Sequence, residues 1–492
     1  MRIDRVILAL VCALSLLPSA GARASESQLG LHLSPCSQGK AKVPAECGTF
    51  GVYENREAHS GRIIPLNVIV IPAKHPMHRA MVEIAGGPGQ GVTEFAAPII
   101  DGGFGASRIA LHDTYDFLFM DDRGMGKSNP FPCNFTPPND PGAYFRYIYP
   151  RALVAACRAK SATTHTLSAY NTNNSVDDLD DLRAALGYEK MVVSGGSYGT
   201  FFSLVYMRRH PTHVESAILD GVSPPHFQAI PGEPMGVQRV LDDLFTKCRK
   251  NAVCNAHFPQ FPAHFLALLQ RFDKGPVAVP AMNLATKRTQ TVALSKEVFV
   301  DTLRHLLYDP FPASYIPYVV ERAYGHDYAP LGRVIQTAAQ LFSSDLNMGA
   351  FLSYSCSDWM PFVSQSALNY ARTHSFAGDL RIRAQRRACA IWGVPAKPAS
   401  FNDPVRSDAP VLMILGSDDP ATPPQYGEEA LRYLPNGRAV LVKGAGHGAD
   451  TDCTDKLELQ FVRARSAKGL DVSKCSATFK LPPFATSMKG WP

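Results

Sequence analysis

The chain has 492 residues, of which 46% are hydrophobic and 19% are charged, and its formal net charge is +6 at pH 7. This composition is that of an ordinary globular protein, and the length allows about two to four domain-sized units around a large core. A net charge this small does not predict binding to nucleic acid or to a charged membrane surface.

Residues 1–24 have the pattern of a secretory signal peptide. Arg2 and Arg5 precede an apolar run from Val6 to Leu17, and the small-residue pattern of a cleavage site follows at residues 22–24. This run of 12 residues is shorter than the ~18 residues that a membrane span requires, so we predict no stable membrane anchor. We expect the mature protein in the periplasm or outside the cell.

Ten of the eleven cysteines lie in the mature chain. An even number of cysteines in an exported protein favours disulfides, although free buried thiols and other pairings are alternatives. Closeness along the chain favours the pairs Cys36/Cys47, Cys133/Cys157, Cys248/Cys254, Cys356/Cys389 and Cys453/Cys475. We find no C-x₂-C or paired-histidine spacing of a zinc motif, and we expect neither a metal nor an organic cofactor.

Strand patterns dominate the first part of the chain, after a loop-rich start. The segments "GTFGVYENRE" and "RIIPLNVIVIPA" predict an antiparallel pair, because apolar and polar residues alternate in them. The short apolar runs "AMVEI", "YDFLFM" and "SAILD" are typical of buried strands. Between residues 172 and 187, "TNNSVDDLDDLRAALG" predicts a helix, since it has polar cap residues, apolar spacing near 3.6 and a closing glycine.

The segment "VVSGGSYGT" (192–200) places Ser197 between Gly195 and Gly199. We predict a strand over 190–194 and a helix over 200–209, which is the order of a nucleophile elbow. The strained turn of such an elbow brings its neighbours so close that only glycine fits two residues before and after the serine. We therefore predict that Ser197 is a nucleophile, and an ordinary strand-to-helix turn is the alternative.

The pattern changes at about residue 225. Four segments, "VQRVLDDLFTKC", "HFLALLQRF", "KEVFVDTLRHLLY" and "GRVIQTAAQLF", have helical periodicity with no strand patterns between them, so we expect residues 225–402 to form an inserted, mostly helical cap. Strand patterns return with "APVLMILG" and "GRAVLVKG". The predicted fold class is therefore α/β, with a mostly parallel central sheet flanked by helices and built from residues 25–224 and 403–492.

A serine nucleophile needs a base, an acid that orients the base, and donors for the oxyanion. Asp418 and Asp419 follow one of the C-terminal strands, and His447 follows the next. Ligands of such sheets bind at the carboxyl ends of strands, so we predict that His447 is the base and one of the two aspartates the acid. Asp450 and Asp452 are expected to be polar loop residues.

Two more glycine-rich loops follow strands. In "EIAGGPGQG" (83–91), small residues leave backbone N–H groups open, and we predict an oxyanion hole formed by the N–H groups of Gly87 and Tyr198. In "DDRGMGKSN" (121–129), Asp121 stands where a phosphate-binding loop requires glycine, which excludes nucleotide binding. We expect Asp122 and Arg123 to brace the loops through charged hydrogen bonds.

Together, "AGGPGQG", "DDRGMGKS", "GGSYGT", "GSDDPATPP" and "GAGHG" resemble the proline iminopeptidase and tripeptidyl aminopeptidase branch of the secreted α/β-hydrolases. The resemblance covers essentially the whole mature chain, including a C-terminal tripeptidyl-aminopeptidase-like segment, and implies the α/β-hydrolase fold. It implies Ser197 as nucleophile, Asp419 as acid and His447 as base, in the chain order of that fold. Ala85 and Asp122 depart from the family pattern, which has His and Gln at these positions.

The resemblance also implies that carboxylates of the cap bind the α-ammonium group of the substrate. The candidates are Asp358 in "SYSCSDWM" and Glu233 in "IPGEP". We therefore expect a secreted aminopeptidase that cleaves short peptides from a free N-terminus through an acyl-enzyme. The alternative is a carboxylesterase that acts on short acyl esters with the same triad, because the fold does not decide between them. An inactive binding protein would lack a triad residue, and none is missing.

Overall fold

The computed structural model describes residues 28–226, 229–477 and 479–491. The predicted signal peptide, residues 1–24, lies outside the described residues. Within the described part of the chain, no helix has both the length and the apolar character that crossing a membrane requires.

Nine strands form one central sheet. They are β1 (Gly30–Gln38), β2 (Val43–Tyr53), β3 (Ile63–Ile71), β4 (Ala80–Ile84), β5 (Asp116–Met120), β6 (Met191–Gly196), β7 (Val214–Asp220), β10 (Val411–Gly416) and β11 (Gly437–Val442). Their order is β1-β2-β3-β5-β4-β6-β7-β10-β11, antiparallel from β1 to β5 and parallel from β5 to β11. Helices cover both faces, which explains the continuous apolar runs of the parallel strands and confirms the predicted sheet.

The antiparallel edge was predicted only in part. Strands β2 and β3 pair as expected, but residues 30–38, predicted as loop, form the edge strand β1. This segment contains Pro35, Gly30 and two serines, which weaken a strand pattern, and it pairs on one side only. Pairing with β2 and the disulfide between Cys36 and Cys47 hold it in place.

The α-helices are numbered in chain order. They are α1 (Ala96–Ile100), α2 (Ala106–Leu111), α3 (Pro141–Arg146), α4 (Arg151–Ser161), α5 (Thr172–Ala185), α6 (Tyr198–Arg209), α7 (Ala229–Lys250), α8 (Ala252–His257), α9 (Phe261–Asp273), α10 (Lys296–Leu306), α11 (Pro310–Ala313), α12 (Ile316–Tyr324), α13 (Ala329–Asp345), α14 (Met348–Asp358), α15 (Gln365–His374), α16 (Leu380–Trp392), α17 (Pro424–Leu431) and α18 (Asp452–Ala464). One face of the sheet packs against α1, α2 and α18, and the opposite face against α4, α5 and α6.

Residues 225–402 are mostly helical, and they also contain a pair of strands that the sequence pattern did not indicate. Strands β8 (Val277–Asn283) and β9 (Arg288–Leu294) form an antiparallel hairpin within this region. Only one side of the hairpin is buried, where Val279 and Leu294 face the apolar cluster of the cap. The alternation of apolar and polar residues in the hairpin extends over only a few residues, and the exposed side is polar. The helical periodicity of the neighbouring segments is stronger, so the sequence does not indicate these strands.

The sheet region and the cap each contribute residues to the hydrophobic core of the other. Tyr144 and Phe145 of α3, which precede the predicted cap, pack in the apolar cluster of the cap. Conversely, Leu352 of α14 and Trp392 of α16 lie in the cluster beneath the sheet. Near the C-terminus, Trp491 returns to the cap cluster. The sequence boundaries at 225 and 402 therefore do not coincide with a boundary between hydrophobic cores.

The structure contains the five predicted disulfides. They join Cys36 to Cys47, Cys133 to Cys157, Cys248 to Cys254, Cys356 to Cys389 and Cys453 to Cys475. Each bond links residues close in sequence, with Cα atoms between 5.1 and 5.8 Å apart, which is the usual range for disulfides.

Candidate active site

Ser197 lies on a strained turn between β6 and α6. Its backbone angles are φ 55° and ψ −120°, which few non-glycine residues adopt. A Cβ on Gly195 would lie 2.4 Å from the carbonyl oxygen of Gly199, and a Cβ on Gly199 would lie 2.4 Å from that of Ile84. Both distances are clashes, which confirms that only glycine fits at these two positions. The turn presents Ser197 at the carboxyl edge of the sheet.

Asp419 and His447 form a hydrogen-bonded pair at the ends of β10 and β11. The Nδ1 of His447 lies 2.9 Å from Oδ2 of the fully buried Asp419. The N–H groups of Ala421 and Thr422 each donate to Oδ1 at 2.8 Å, and the Thr422 hydroxyl donates to Oδ2 at 2.6 Å. Burial alone would raise the pKa of Asp419, but His447 and these hydrogen bonds outweigh it and lower the pKa.

The same contacts orient the imidazole of His447. Its backbone N–H donates to the carbonyl of Tyr308 at 2.6 Å, and the two rings are 5.1 Å apart. Burial lowers the pKa of His447, but the Asp419 carboxylate outweighs burial and raises it. With Nδ1–H donating to Asp419, the lone pair of the neutral ring is on Nε2, where a base needs it.

The second aspartate has a different partner. Asp418 forms an ion pair with Lys247 of α7, and its Oδ1 accepts a hydrogen bond from the Ser417 hydroxyl at 2.7 Å. The structure therefore brings Asp419, and not Asp418, to the imidazole of His447.

The predicted oxyanion loop lies beside the nucleophile. A Cβ on Gly86 would lie 3.4 Å from the Cβ of Ser197, and Gly87, with φ +110°, is the next residue. The N–H of Tyr198 belongs to the first turn of α6, where N–H groups have no partner within the helix and the helix dipole favours negative charge. The hydroxyl of Tyr198 lies 2.9 Å from the hydroxyl of Thr172, which fixes its ring.

The loop after β5 is braced, with a different carboxylate from the one predicted. Arg123 is fully buried and forms two hydrogen bonds with Asp178, at 2.7 and 2.8 Å. The prediction that Asp122 braces the loop was wrong, because the preceding residue, Asp121, makes the loop contacts. Asp121 accepts hydrogen bonds from the N–H of Thr93 at 2.8 Å and from the Thr93 hydroxyl at 2.9 Å. Burial raises the pKa of Asp122 well above its usual value.

The carboxylates of both predicted ammonium ligands contact protein donors. Asp358 is 1% exposed, and its Oδ2 accepts bonds from the N–H and hydroxyl of Thr172, at 3.0 and 2.7 Å. It therefore connects α14 to α5, while its Oδ1 has no hydrogen-bond partner among the described residues. Glu233 accepts a bond from the Tyr308 hydroxyl at 2.8 Å and is paired with Arg304 and Arg381. Its charge is already compensated by two guanidinium groups.

A cavity of about 260 Å³ contains both Ser197 and His447. Its lining includes four apolar residues, Val92, Phe95, Ile99 and Phe104. It also includes five charged residues, Glu83, Arg108, Asp220, Asp450 and Glu458, of which the sequence analysis named only Asp450, as a polar loop residue. Four carboxyl groups and one guanidinium group thus line the cavity that holds the predicted nucleophile and base.

Arg108 forms ion pairs with two of the carboxyl groups that line the cavity. Its guanidinium donates to Glu83 at 2.7 Å, to Glu458 at 2.5 Å and to the hydroxyl of Ser194 at 3.0 Å. Burial raises the pKa of Glu458 to about 7, although Arg108 opposes this shift. Burial also raises the pKa of Asp450, which is near Arg108. The single arginine does not fully compensate the surrounding carboxyl groups.

Asp220 ends β7 and lies next to both predicted catalytic groups. Its carbonyl accepts the N–H of Ser197 at 2.9 Å, and its Oδ2 accepts the N–H of Ala449 at 3.3 Å. Its other carboxylate oxygen, Oδ1, is shielded from solvent and has no hydrogen-bond partner among the described residues. Burial, and then Asp450, raise the pKa of Asp220 well above its usual value.

Comparison with known proteins agrees with the observed sheet. Residues 103–449 match the family model described as the alpha/beta hydrolase fold. The chain therefore belongs to the α/β-hydrolase family, which is consistent with a serine hydrolase.

Named relatives of the chain are peptidases. It is 30% identical over 255 residues to serine protease Hip1 of Mycobacterium tuberculosis, covering 47% of this chain and 48% of that protein. It is 27% identical over 223 residues to a tripeptidyl aminopeptidase of Streptomyces lividans, covering 42% and 41%. It is 28% identical over 169 residues to a proline iminopeptidase of Neisseria gonorrhoeae, covering 34% and 41%. The chain spans about half or less of the length of these relatives.

Among solved structures, a proline iminopeptidase of Mycobacterium smegmatis is similar to this chain at a TM-score of 0.39 and 15% identity. The match covers 85% of this chain and 98% of the other. The assignment to the family rests on the family model and on the observed sheet.

Proposed function

We propose that this protein is a serine aminopeptidase that cleaves short peptides from a free N-terminus. Ser197 Oγ attacks the scissile carbonyl carbon while its proton moves to His447, and Asp419 stabilises the imidazolium. The N–H groups of Gly87 and Tyr198 receive the negative charge of the carbonyl oxygen. His447 then protonates the leaving amine, and a water molecule that His447 deprotonates hydrolyses the acyl-enzyme.

The charged cavity is the observation that favours a peptide with a free N-terminus as the substrate. A peptide bound with its carbonyl at Ser197 shares this cavity with four carboxyl groups and only one guanidinium. An ammonium group that reaches the shielded Oδ1 of Asp220, which has no hydrogen-bond partner among the described residues, would pair with it and favour the ionised forms of Asp220 and of the neighbouring carboxyls. The similarity to a tripeptidyl aminopeptidase and a proline iminopeptidase supports the same choice.

A carboxylesterase is the second candidate, and one observation favours it. Phe95, Ile99 and Phe104 line the same cavity and give it apolar surface, which suits the hydrocarbon part of an acyl ester. An ester has no ammonium group, and its hydrolysis would not depend on pairing with the carboxylates of the cavity. The two candidates therefore differ in their response to the charge of Asp220.

We also propose export of the protein to an oxidising compartment, the periplasm or the extracellular space. Five disulfides between neighbouring segments support this location, because such bonds are rare in reducing compartments. The signal pattern of residues 1–24 gives separate support from the sequence.

The experiment compares matched chromogenic substrates: a tripeptide anilide and a prolyl anilide with free amines, both in N-acetylated form, and a short acyl ester. For the wild type, we expect turnover of free-amine peptides and little turnover of the acetylated forms. Ser197→Ala should abolish all activity. Turnover of the ester alone would contradict the aminopeptidase and favour the esterase.

The charge variant Asp220→Asn separates the two candidates further. Losing a charge-assisted hydrogen bond of about 1.5–3 kcal/mol should raise KM for the free-amine peptides by roughly 10- to 100-fold. The kcat on the ester should change little, which would show that the catalytic groups keep their positions. Asp408→Asn, a change at an exposed carboxylate, is the matched control. Equal losses on peptide and ester would contradict a role of Asp220 in binding the amine.

A further inference from the structure

Three potential metal ligands converge at the end of α6 opposite to Ser197. Asp180 belongs to α5, His210 directly follows α6, and His213 lies in the short turn before β7. One ligand atom from each lies within 4.8 Å of the others. The three side chains are 13%, 20% and 32% exposed, respectively, so an ion can reach them from solvent.

A carboxylate behind His210 sets the direction of its lone pair. The Nε2 of His210 lies 2.9 Å from Oδ1 of Asp177, and an N–H there donates to that carboxylate. In the neutral ring, the lone pair is then on Nδ1, which faces Oδ2 of Asp180 at 3.5 Å. Two electron-rich atoms face each other, and a cation between them would turn this repulsion into attraction. A carboxylate that orients a metal-binding histidine is a common outer-shell arrangement.

We propose that Asp180, His210 and His213 form a binding site for a divalent transition-metal ion, with zinc as the best fit. Zinc binds imidazole nitrogen and carboxylate oxygen at about 2.0–2.2 Å, so two ligand atoms of a tetrahedral site lie roughly 3.4 Å apart. The separation of 3.5 Å between His210 Nδ1 and Asp180 Oδ2 matches this edge. His213 Nδ1 contacts the other oxygen, Oδ1, at 2.6 Å. Metal binding therefore requires the carboxylate to turn until one oxygen faces both imidazoles, and the contact with His213 to lengthen by somewhat less than ~1 Å. Water completes the site.

The side chains around the three proposed ligands determine which metal ions the site favours. Arg183 donates to both oxygens of Asp180, at 2.8 and 3.2 Å, and Tyr206 donates to Oδ1 at 2.9 Å. The guanidinium weakens binding of hard cations that depend on charge alone. Two imidazole ligands favour zinc, nickel or copper over magnesium and calcium.

The proposed role is structural and does not depend on the proposed catalysis. Helix α6 has 12 residues, so its two ends are about 18 Å apart, with Ser197 at one end and His210 at the other. A bound ion would connect α5, the end of α6 and the start of β7. It would stabilise the helix that carries Ser197 without touching the reacting atoms. The sequence did not predict the site, because Asp180 lies in α5, 33 residues before His213.

The experiment measures zinc binding to the purified protein, prepared without a histidine tag and treated with a chelator that is then removed. Calorimetric titration with zinc chloride should give one ion per chain. About 100 µM zinc should raise Tm by roughly 2 °C or more, as expected when a ligand binds only the folded state. Magnesium should produce neither signal.

The single variants His210→Ala and His213→Ala should each lose zinc binding and the zinc-dependent rise in Tm. His257→Ala, at an exposed histidine of α8, should keep both. A purely structural ion pair would lower Tm of the variants in the absence of zinc but would give no zinc stoichiometry in the wild type. Failure of the wild type to bind zinc, or unchanged binding in both histidine variants, would overturn the proposal.

Discussion

Gly199→Ala tests the packing of the nucleophile elbow. The added Cβ would lie 2.4 Å from the carbonyl oxygen of Ile84 and 3.1 Å from that of Ala85. An ordinary contact requires the end of β4 to retreat from α6 by about 1 Å, and a displacement of this size at a reacting centre costs roughly 100-fold in rate. The oxyanion loop starts at Ala85, so Gly87 would move away from Ser197.

The same clash has a separate cost in stability. Overpacking against backbone that cannot rotate away typically costs about 1–3 kcal/mol, and the better helix propensity of alanine returns less than ~1 kcal/mol of it. We therefore expect kcat to fall by about two orders of magnitude on whichever of the peptide or ester substrates the wild type cleaves. The midpoint of urea unfolding should fall as well.

Gly196→Ala is the matched control for this variant. A Cβ on Gly196 has no heavy atom within 4 Å, although this residue is adjacent to Ser197. Its kcat should fall far less than that of Gly199→Ala, and its unfolding midpoint should stay near the wild-type value. Wild-type activity in Gly199→Ala, or an equal loss in both variants, would refute the packing argument.

Three further predictions concern the acid, the base and one disulfide. Because His447 must be neutral to accept a proton, kcat/KM should fall as pH decreases through its raised pKa, above 6.5; a midpoint below 6.5 in the pH profile would contradict this. Asp419→Asn should lower kcat by about 10⁴-fold, as in other triads, and should move this midpoint to lower pH; steady-state kinetics of the variant test both. Replacing Cys356 and Cys389 by serine opens a link over 33 residues and should cost about 3–4 kcal/mol in the free energy of unfolding, measured with urea under non-reducing conditions; an unchanged midpoint would show that the link adds no stability.

The elbow and the acid–base pair were accessible from the sequence because local rules determine them. Gly195 and Gly199 surround Ser197 at spacings that only a tight strand-to-helix turn explains, and the collisions in the structure match that reason. Asp419 and His447 follow neighbouring parallel strands, whose carboxyl ends share one edge of the sheet. The order serine, aspartate, histidine along the chain is that of the α/β-hydrolase fold.

Contacts between distant segments were not accessible. The bond between Asp358 and Thr172 joins residues 186 positions apart, and no local sequence pattern predicts that pair. Asp220 ends a buried strand, as many polar residues do, and only the folded sheet places its backbone carbonyl on the N–H of Ser197 and leaves its Oδ1 without a hydrogen-bond partner among the described residues. The hairpin of β8 and β9 was hidden for a related reason, since its register depends on packing against the cap.

The exchange of elements between the two hydrophobic cores limits how this protein can be engineered and how its site can open. A chimera that replaces residues 225–402 as a module would remove Leu352 and Trp392 from beneath the sheet and would leave α3 without its apolar neighbours. For the same reason, a rigid swing of residues 225–402 away from the sheet would pull buried side chains out of the main core. Under the proposed function, we therefore expect substrate to enter through movements of loops and side chains.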